Sequence, residues 1–341
     1  MKKNLYLILL ILTGLSCTQT QNEADSDSAG SEENSPVSQT PIIGEDKMEV
    51  LAEGFSWSEG PLWISEINAL VFSDVPENKI YKWTESDGLS VYLEESGSEK
   101  TLDLKNERGS NGLALDAEGK LIITQHGNRQ LAKMILPVTD PKPEYEVLSN
   151  EFGGNRFSSP NDLTIHSNGS IFFTDPPYGL YGQDDDELKE MEFNGVYRVN
   201  GDTTFLLIDS LTRPNGIALS PDEKTLYVAN SDGEKAFWAS YKLDGAGNVL
   251  SGGIFYDATP KVKAGAVGLP DGLKVHPDGS IYATGPGGVH VFDPQGQLLL
   301  IYKPNGFVSN CAFDTDHQWL YMTVDDRVLR VNVDQPDASV Q

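Results

Sequence analysis

Six oxygen-bearing side chains recur in one short phrase of this 341-residue sequence. The phrase is a polar residue, usually followed by glycine and then by an apolar run, as in Asn111-Gly112-Leu113. The six leading residues are Glu59, Asn111, Asn161, Asn215, Asp271 and Asn310. Carboxylates and carboxamides are the hard oxygen donors that Ca²⁺ binds. If the fold brings them together, they predict one divalent-cation site, with Ca²⁺ preferred and Zn²⁺, Mn²⁺ and Mg²⁺ as alternatives.

Each phrase is also compatible with a simple turn, because Asn-Gly and Asp-Gly supply the backbone conformations that turns need. Glu59 counts against this interpretation, since Glu is a poor turn former and yet occupies the same place. The convergence of six oxygen donors on one slot favours a shared site.

Two short strands joined by a tight turn follow most of the phrases. The pattern is visible in LALDAEGKLIIT, LTIHSNGSIFFT and LKVHPDGSIYAT, with turns such as Asn168-Gly169 and Asp278-Gly279. A third strand follows in several copies, and no long helical periodicity interrupts the series. The sequence therefore predicts an all-β fold built from repeated antiparallel units.

The spacing of the phrases predicts the architecture. Their leading residues lie 52, 50, 54, 56 and 39 residues apart, which is typical of propeller blades of four strands. Six copies predict a six-bladed β-propeller over residues 48–335, followed by a short tail at 336–341. A solenoid is the competing architecture, but the repeat contains neither a helix nor a short period. In a propeller, equivalent positions surround the central axis, so the six donors would face one point.

Several longer segments resemble a known family. They are WSEGPLW (57–63), QHGNR (125–129), GNRFSSPNDL (154–163), FTDPPYGL (173–180), RPNGIALSPDEKTLYVANSD (213–232) and LPDGLKVHPDGSIYATGPGGVHVFDPQG (269–296). These segments are similar to the gluconolactonase, regucalcin (senescence marker protein) and luciferin-regenerating enzyme family, and most similar to its bacterial gluconolactonases. The resemblance implies a six-bladed propeller with one catalytic divalent cation. By motif, its metal ligands are Glu59, Asn161, Asn215 and Asp271.

The resemblance also implies a reaction, the hydrolysis of a sugar lactone. The cation would polarise the carbonyl, and Asp271 would take a proton from the attacking water. Because a carboxylate that touches a metal ion is a weaker base, His126 is a second candidate for the base or for a proton shuttle.

Other residues of the matching motifs are candidates for substrate contact. Arg156 matches a substrate-contacting arginine of the family, with a surface ion pair as the alternative. Asp162 could bind substrate hydroxyls or a ligand carboxamide, and Asp175 and Tyr178 are expected to shape the loop that follows, with Tyr178 near the substrate. Asn111 and Asn310 are expected to make outer or water-mediated contacts, Asn111 with the substrate as well.

Two other functions remain open at the level of sequence. Relatives of the family include phosphotriester hydrolases that use the same kind of ion and ring, so fold and metal do not fix the substrate. A non-catalytic propeller that binds a sugar acid or a protein partner is the alternative from a different class.

The net charge is −26, with 25 Lys and Arg against 51 Asp and Glu. Such a surface repels phosphate backbones and makes nucleic acid an unlikely partner. It agrees with a small neutral substrate or a cation, although solubility alone is a sufficient explanation. We expect a monomer.

The first 47 residues have the composition of an export signal and a tether. Residues 1–16 combine a basic start with an apolar run too short to span a bilayer, which is typical of a bacterial secretory signal. Ser16-Cys17 resembles a lipoprotein processing site, so we expect Cys17 to be lipidated and the protein to reside in the periplasm or at the outer membrane, with the lipid as its only membrane contact. An ordinary cleaved signal is the alternative. Residues 17–47 are acidic and poor in apolar side chains, and they predict a solvated tether.

Overall fold

The computed structural model describes residues 40–99 and 108–334, which form a six-bladed β-propeller. Each blade is an antiparallel sheet of four strands, and one blade carries an additional parallel strand. The predicted fold class is confirmed. The predicted signal, Cys17 and the C-terminal tail lie outside the described residues.

Two strands precede the first blade in the chain. They are β1 (Ile42–Gly44) and β2 (Glu49–Glu53), with a 3₁₀ turn at Glu45–Lys47 between them. Residues 42–44 pair in parallel with the last strand of the fifth blade, and Ile43 is buried in the core there. The tether predicted over residues 17–47 was therefore extended too far, because two consecutive isoleucines give the chain enough apolar surface to dock before residue 48.

The first three blades follow in chain order. The first contains β3 (Ser58–Ile64), β4 (Ala69–Asp74), β5 (Lys79–Thr84) and β6 (Gly88–Glu94), with a 3₁₀ turn at Ser65–Ile67. The second contains β7 (Ser110–Leu115), β8 (Leu121–Gln125), β9 (Gln130–Met134) and β10 (Tyr145–Ser149), and a small hairpin of β11 (Glu151–Phe152) and β12 (Asn155–Arg156) comes next. The third contains β13 (Leu163–Ile165), β14 (Ile171–Asp175), β15 (Gly195–Asn200) and β16 (Thr203–Ile208), with a 3₁₀ turn at Gln183–Asp185.

The other three blades complete the ring. The fourth contains β17 (Pro214–Leu219), β18 (Thr225–Asn230), β19 (Phe237–Leu243) and β20 (Val249–Asp257), and the short helix α1 (Thr259–Lys263) follows it. The fifth contains β21 (Leu273–Val275), β22 (Ile281–Gly285), β23 (Gly288–Phe292) and β24 (Leu298–Lys303). The sixth contains β25 (Val308–Phe313), β26 (Trp319–Val324) and β27 (Arg327–Asn332).

The sixth blade takes its fourth strand from the other end of the domain. Strand β2 pairs antiparallel with β27, with Glu49 opposite Arg330. The Arg330 guanidinium donates to Glu49 and to Glu85 at 2.7 Å each and lies 4.4 Å from the ring centroid of Trp319. These contacts close the ring between the sixth and the first blade.

The hydrophobic core is divided among the gaps between blades. The described residues form six apolar clusters, and each cluster joins residues of two neighbouring blades. Between the sixth blade and the first, for example, Phe55 and Phe72 pack in one cluster with Tyr321 and Val328. Because both faces of each sheet are buried in this way, strands such as β8 and β14 are buried along their whole length.

The tight turns form where the sequence predicts them. Gly169 and Gly279 have positive φ angles of 83° and 92° in the turns between the first two strands of their blades. Glu223 and His317 adopt the same left-handed conformation, at 57° and 58°, in the corresponding turns of the fourth and sixth blades. Within the described ranges, no helix is long and apolar enough to cross a membrane.

Candidate metal and active site

The six phrase residues surround the central channel and are all buried, with 2% to 6% of their surface exposed. Contacts between consecutive phrases demonstrate the ring. A Cβ atom on Gly60 would lie 1.9 Å from the Asn111 carbonyl oxygen, and one on Gly216 would lie 2.2 Å from the Asp271 carbonyl oxygen. Glycine after the phrase residue is therefore required by the close approach of the next blade. The last phrase meets the first, because Asn310 Nδ2 donates to Glu59 Oε2 at 3.4 Å.

β-bulges help to aim these side chains at the channel. The register between the first and second strands shifts at the phrase in four blades, for example between Glu59 and Leu62. In the third and fifth blades the first strand begins two residues after the phrase, at Leu163 and Leu273. An extra residue in one strand bends it locally and redirects a side chain. Because of the bulge, the side chain of the phrase residue does not follow the regular alternation of side chains between the two faces of the strand.

Hydroxyl groups on the second strand of several blades donate hydrogen bonds to the backbone carbonyls of ring residues. Ser73 Oγ donates to the Asn111 carbonyl at 2.9 Å, and Thr174 Oγ1 donates to the Asn215 carbonyl at 2.7 Å. Thr124 makes the same kind of contact with Asn161. Each bond joins one blade to the ring residue of the next. Sequence reasoning missed these residues, although a Ser or Thr near the end of the second strand recurs in LIITQ, IFFTD and IYATG.

Side chains at the ends of second strands hold the loops that enter the ring. Asp175 accepts hydrogen bonds from the backbone N–H groups of Ser158 and Ser159 at 2.8 and 2.7 Å, just before Asn161. In the first and fourth blades the equivalent acceptors are Asp74, for the residues before Glu59, and Asn230, for Arg213. Asp175 therefore holds the loop that precedes Asn161, whereas the sequence analysis expected it to shape the loop that follows.

A cavity of about 290 Å³ opens over the ring. Five ring residues line it, namely Glu59, Asn111, Asn161, Asn215 and Asp271, together with Trp57, Tyr178, Arg213, Ser231, Leu269 and Phe307. Cavities of about 460 and 660 Å³ lie elsewhere, but neither contains a ring residue. The candidate site is the cavity of about 290 Å³, because it contains the ring of oxygen donors, although two other cavities are larger.

Sequence reasoning also missed part of the cavity wall. Trp57, Arg213 and Leu269 each precede their ring residue by two positions, so the repeat itself contained the signal. Trp57 and Phe307 are neighbours with ring centroids 5.4 Å apart. The Arg213 guanidinium lies over the Tyr178 ring at 5.7 Å and pairs with Asp184 at 2.7 Å. The wall thus combines aromatic surface with one guanidinium.

The two ring carboxylates are held in an unfavourable environment for negative charge. Burial, together with the negative charge of Asp162, raises the pKa of Glu59 to about 8, although a hydrogen bond from the Gly60 N–H opposes the shift. Burial also raises the pKa of Asp271 well above its usual value, and the charges of Glu59 and Asp162 add to that effect. A cation at this point would offset both the burial and the mutual repulsion.

The donors fit a hard cation. Asp271 Oδ1 and Asn111 Oδ1 are buried without a hydrogen-bond partner among the described residues, so both are available as ligands or acceptors. No three His, Cys, Asp or Glu side chains cluster as a metal site within residues 40–99 and 108–334. The ring does not need such a cluster, because most of its donors are carboxamides. Oxygen donors alone, with two carboxylates, suit Ca²⁺ better than a metal that prefers nitrogen or sulfur.

The remaining predicted residues lie at different distances from the cavity. His126 is buried beside the ring, with Nε2 3.5 Å from Asn111 Nδ2, and does not line the cavity. Arg156 is exposed, and its guanidinium donates to the Asn128 carbonyl at 2.8 Å. The structure does not place Arg156 in the cavity wall, since β12 belongs to a two-stranded hairpin separate from the blade sheets, and Arg213 is the arginine that lines the cavity.

Two more predicted residues have clear positions. Tyr178 lines the cavity, where its contact with a substrate stays a prediction, and its hydroxyl donates to the Ser231 carbonyl at 3.4 Å. Asp162 does not line the cavity, since it follows Asn161 in the chain and lies next to Asn310 and Lys274 instead. Of its two predicted partners, the structure shows a carboxamide, that of Asn310 at 3.5 Å, rather than the wall of the cavity.

Comparison with known proteins places the chain among lactone hydrolases by similarity. Residues 57–325 match the family described as SMP-30/Gluconolactonase/LRE-like region. The chain is 39% identical over 290 residues to a gluconolactonase of Zymomonas mobilis, covering 83% of this chain and 80% of that protein. The structure of XC5397 from Xanthomonas campestris, described as a gluconolactonase, is similar with a TM-score of 0.72 at 31% identity, covering 84% of this chain and 89% of that one. A calcium-binding regucalcin of Agrobacterium tumefaciens has a TM-score of 0.64 at 18% identity, covering 85% and 95% of the two chains, and this likeness shows the fold alone.

Proposed function

Because the chain belongs to the SMP-30/gluconolactonase/LRE-like family, we propose that it hydrolyses a sugar lactone with the help of a divalent cation bound in the propeller channel. It is a lactonase-type hydrolase. The observation that carries the cation-dependent mechanism is the ring of oxygen donors at the floor of the cavity, in which Asp271 Oδ1 is buried without a hydrogen bond from the described residues. The ligands we assign are Glu59, Asn161, Asn215 and Asp271.

The overall reaction requires one water molecule. Its oxygen adds to the lactone carbonyl carbon, the ring ester C–O bond breaks, and the products are a hydroxyl group, a carboxylate and a proton. A divalent cation, when bound, supplies Lewis acidity that polarises the carbonyl and stabilises the oxyanion. Ca²⁺ is our preferred ion because every assigned donor is an oxygen, with Mn²⁺, Zn²⁺ and Mg²⁺ as alternatives.

The chain itself supplies a proton acceptor and a shaped wall. Asp271 is the acceptor we assign, because it is the aspartate that lines the cavity and its Oδ1 atom has no hydrogen bond within the described part of the chain. His126 contacts the amide of Asn111 and does not line the cavity, so we assign it a role in orienting Asn111. Trp57 and Phe307 offer apolar surface to the carbon face of a sugar ring and exclude water from it.

Acidification of a gluconolactone solution, followed at constant pH, tests the proposal. We expect the purified protein with Ca²⁺ to release acid faster than spontaneous hydrolysis does, chelation to abolish the excess rate, and Ca²⁺, Mn²⁺ or Zn²⁺ to restore some of it. Asp271→Ala should lose more activity than Asn111→Ala, because it removes a formal charge from the site.

The control variant is Glu234→Gln, which removes one negative charge from an exposed side chain paired with Lys263. It should keep the activity of the wild type. Full activity in a metal-free preparation would refute the cation-dependent mechanism, and the absence of any excess acid release from several sugar lactones would refute lactone hydrolysis.

A further inference from the structure

A second layer of the channel lies one residue beyond the ring. Four blades have glycine directly after the ring residue, whereas the third blade has Asp162. A Cβ atom on Gly112 would lie 2.9 Å from Asp162 Oδ1, so the space left by glycine accommodates this carboxylate. Asp162 is buried, with 2% of its surface exposed. Its Oδ1 atom accepts a hydrogen bond from the Leu163 N–H at 2.9 Å, and Oδ2 accepts one from Asn310 Nδ2 at 3.5 Å.

A lysine of the fifth blade meets this carboxylate. Lys274 follows Asp271 by three positions, where the other blades have Leu62, Ala114, Thr164, Ala218 and Phe313. Its Nζ atom lies 3.9 Å from Asp162 Oδ2 and donates to Asn310 Oδ1 at 3.2 Å and to the Leu273 carbonyl at 3.2 Å. The Lys274 side chain is 29% exposed, so it reaches the second layer while part of the side chain stays in contact with solvent.

These contacts determine the orientation of the Asn310 carboxamide. Lys274 and the backbone N–H of Cys311 both donate to the amide oxygen of Asn310, at 3.2 and 2.9 Å, which leaves the amide N–H groups to face Glu59 Oε2 and Asp162 Oδ2. Removing Lys274 takes away one of the two donors that keep this oxygen away from the carboxylates. Lys274 therefore acts on Glu59 through Asn310.

The charges of the two layers sum to −2, which balances a divalent cation. With both ring carboxylates ionised, Glu59, Asp271 and Asp162 carry three negative charges, and Lys274 carries one positive charge. We propose that Lys274 is a positioning residue that matches the charge of the channel to a divalent rather than a trivalent cation and fixes the Asn310 amide toward Glu59. This proposal rests on the cation site of the proposed function.

The test compares the affinities of the full-length protein for Ca²⁺ and for Tb³⁺. Calorimetry measures Ca²⁺ binding, and the emission of Tb³⁺ excited through Trp57, which lines the cavity, measures Tb³⁺ binding. Lys274→Met replaces the lysine with an uncharged side chain of similar length. The lysine charge repels a trivalent ion more strongly than a divalent one, in proportion to the charge of the ion. Its removal should therefore favour Tb³⁺, and we expect the ratio of Tb³⁺ to Ca²⁺ affinity to rise about tenfold or more.

Three further variants make the result decisive. Lys274→Arg keeps the charge and should leave the ratio within about twofold of the wild type. Lys224→Met removes a lysine charge from an exposed turn and should leave the ratio unchanged. If Lys274→Met does not fold, Lys274→Gln gives the same comparison with a polar side chain.

The outcomes separate this inference from the function on which it rests. An unchanged ratio in Lys274→Met and Lys274→Gln, with normal Ca²⁺ binding by the wild type, would overturn the role of Lys274 alone. Failure of the wild type to bind either cation would overturn the cation site and this inference together. A merely structural role for Lys274 would lower both affinities and leave their ratio unchanged.

Discussion

Asp271 has two possible duties, as a ligand and as a base. Its Oδ1 atom is buried at the cavity wall with no hydrogen bond from the described ranges, and burial together with neighbouring carboxylates raises its pKa. A raised pKa makes a carboxylate a better proton acceptor, whereas a bound cation acts in the opposite direction. Asp271→Asn separates the two duties, because it keeps an oxygen ligand but removes both the charge and the basicity.

We expect Asp271→Asn to remain impaired when the metal is saturating. Loss of a ligand charge alone would weaken metal binding, and excess metal would recover the rate. Loss of a positioned general base should leave kcat lower by roughly 10²–10⁴-fold. Measuring kcat for lactone hydrolysis across a metal titration gives the answer.

His126→Gln is the parallel variant, because it leaves the assigned ligands in place. Since His126 contacts Asn111 rather than the cavity, its defect should be the smaller of the two. Full recovery of Asp271→Asn by metal, together with a persistent collapse of His126→Gln, would transfer the role of base to His126.

The sequence predicted the ring residues because the ring is a repeat, and symmetry converts equal positions in the chain into one place in space. It did not place Arg156 or Asp162, since each occurs in one copy only and no symmetry constrains it. Arg156 falls on an outer hairpin, and Asp162 turns into the second layer because the neighbouring blade has glycine there. Single-copy residues depend on local packing, which a repeat pattern does not contain.

At the scale of elements, the loops that carry the ring residues depend on the acceptors at the ends of the second strands. Asp175 binds two backbone N–H groups in the third blade, and Asn230 does the equivalent for Arg213 in the fourth, at 2.8 Å. A carboxamide has only one acceptor oxygen and can therefore replace one of the two acceptors that Asp175 supplies. Asp175→Ala should lower the free energy of unfolding by about 1–3 kcal/mol, because it leaves buried N–H groups without an acceptor. Asp175→Asn should cost less, as measured by urea unfolding in the presence of a chelator.

The same residue predicts a dependence of stability on pH. Burial raises the pKa of Asp175 to about 7, although two backbone N–H groups and the charge of Arg129 oppose the effect. Between about pH 4 and pH 7 the folded protein therefore holds a proton that the unfolded chain has released. The stabilising contribution of this group is complete below about pH 4 and is lost as the pH rises through 7. Asp175→Asn cannot titrate, so its stability relative to the wild type should increase from pH 4.5 to pH 7.5, and a constant difference would contradict this account.

The strands and turns were predictable because period, turn residues and alternation are local properties of the sequence. The bulges at the phrase were not, since a register shift is defined by the partner strand and leaves no mark in its own residues. Docking of β1 was missed for a similar reason, because its partner β24 lies more than two hundred residues away in the chain. At this scale the sequence predicts where strands form, but it does not predict which strand pairs with which, or in what register.

At the scale of the whole molecule, residues 1–39 lead to a prediction about location. Lipidation of Cys17 would add apolar chains that partition into a bilayer with about 0.8 kcal/mol for each buried methylene. We expect the wild type in the membrane fraction and Cys17→Ser in the soluble fraction, with unchanged turnover because the cavity is formed by residues 57–307. Fractionation followed by the acid-release assay measures both, and Thr18→Ser is the control. A wild-type protein that is already soluble after cell lysis would show that Cys17 carries no lipid.

The strand that completes the sixth blade determines the order in which this chain can mature. Arg330 of β27 forms a hydrogen bond with Glu49 of β2, which lies 281 residues earlier in the chain. Strand β2 can therefore pair only after β27 has been synthesised. Until then β2 has no partner, and the first blade lacks its neighbour across Phe72 and Tyr321. A nascent chain therefore exposes an unpaired edge and an open apolar face for most of its synthesis. Ring closure therefore requires nearly the whole polypeptide, because a chain truncated before β27 would keep five complete blades but lose the strand that joins β2 to the rest of the sixth blade.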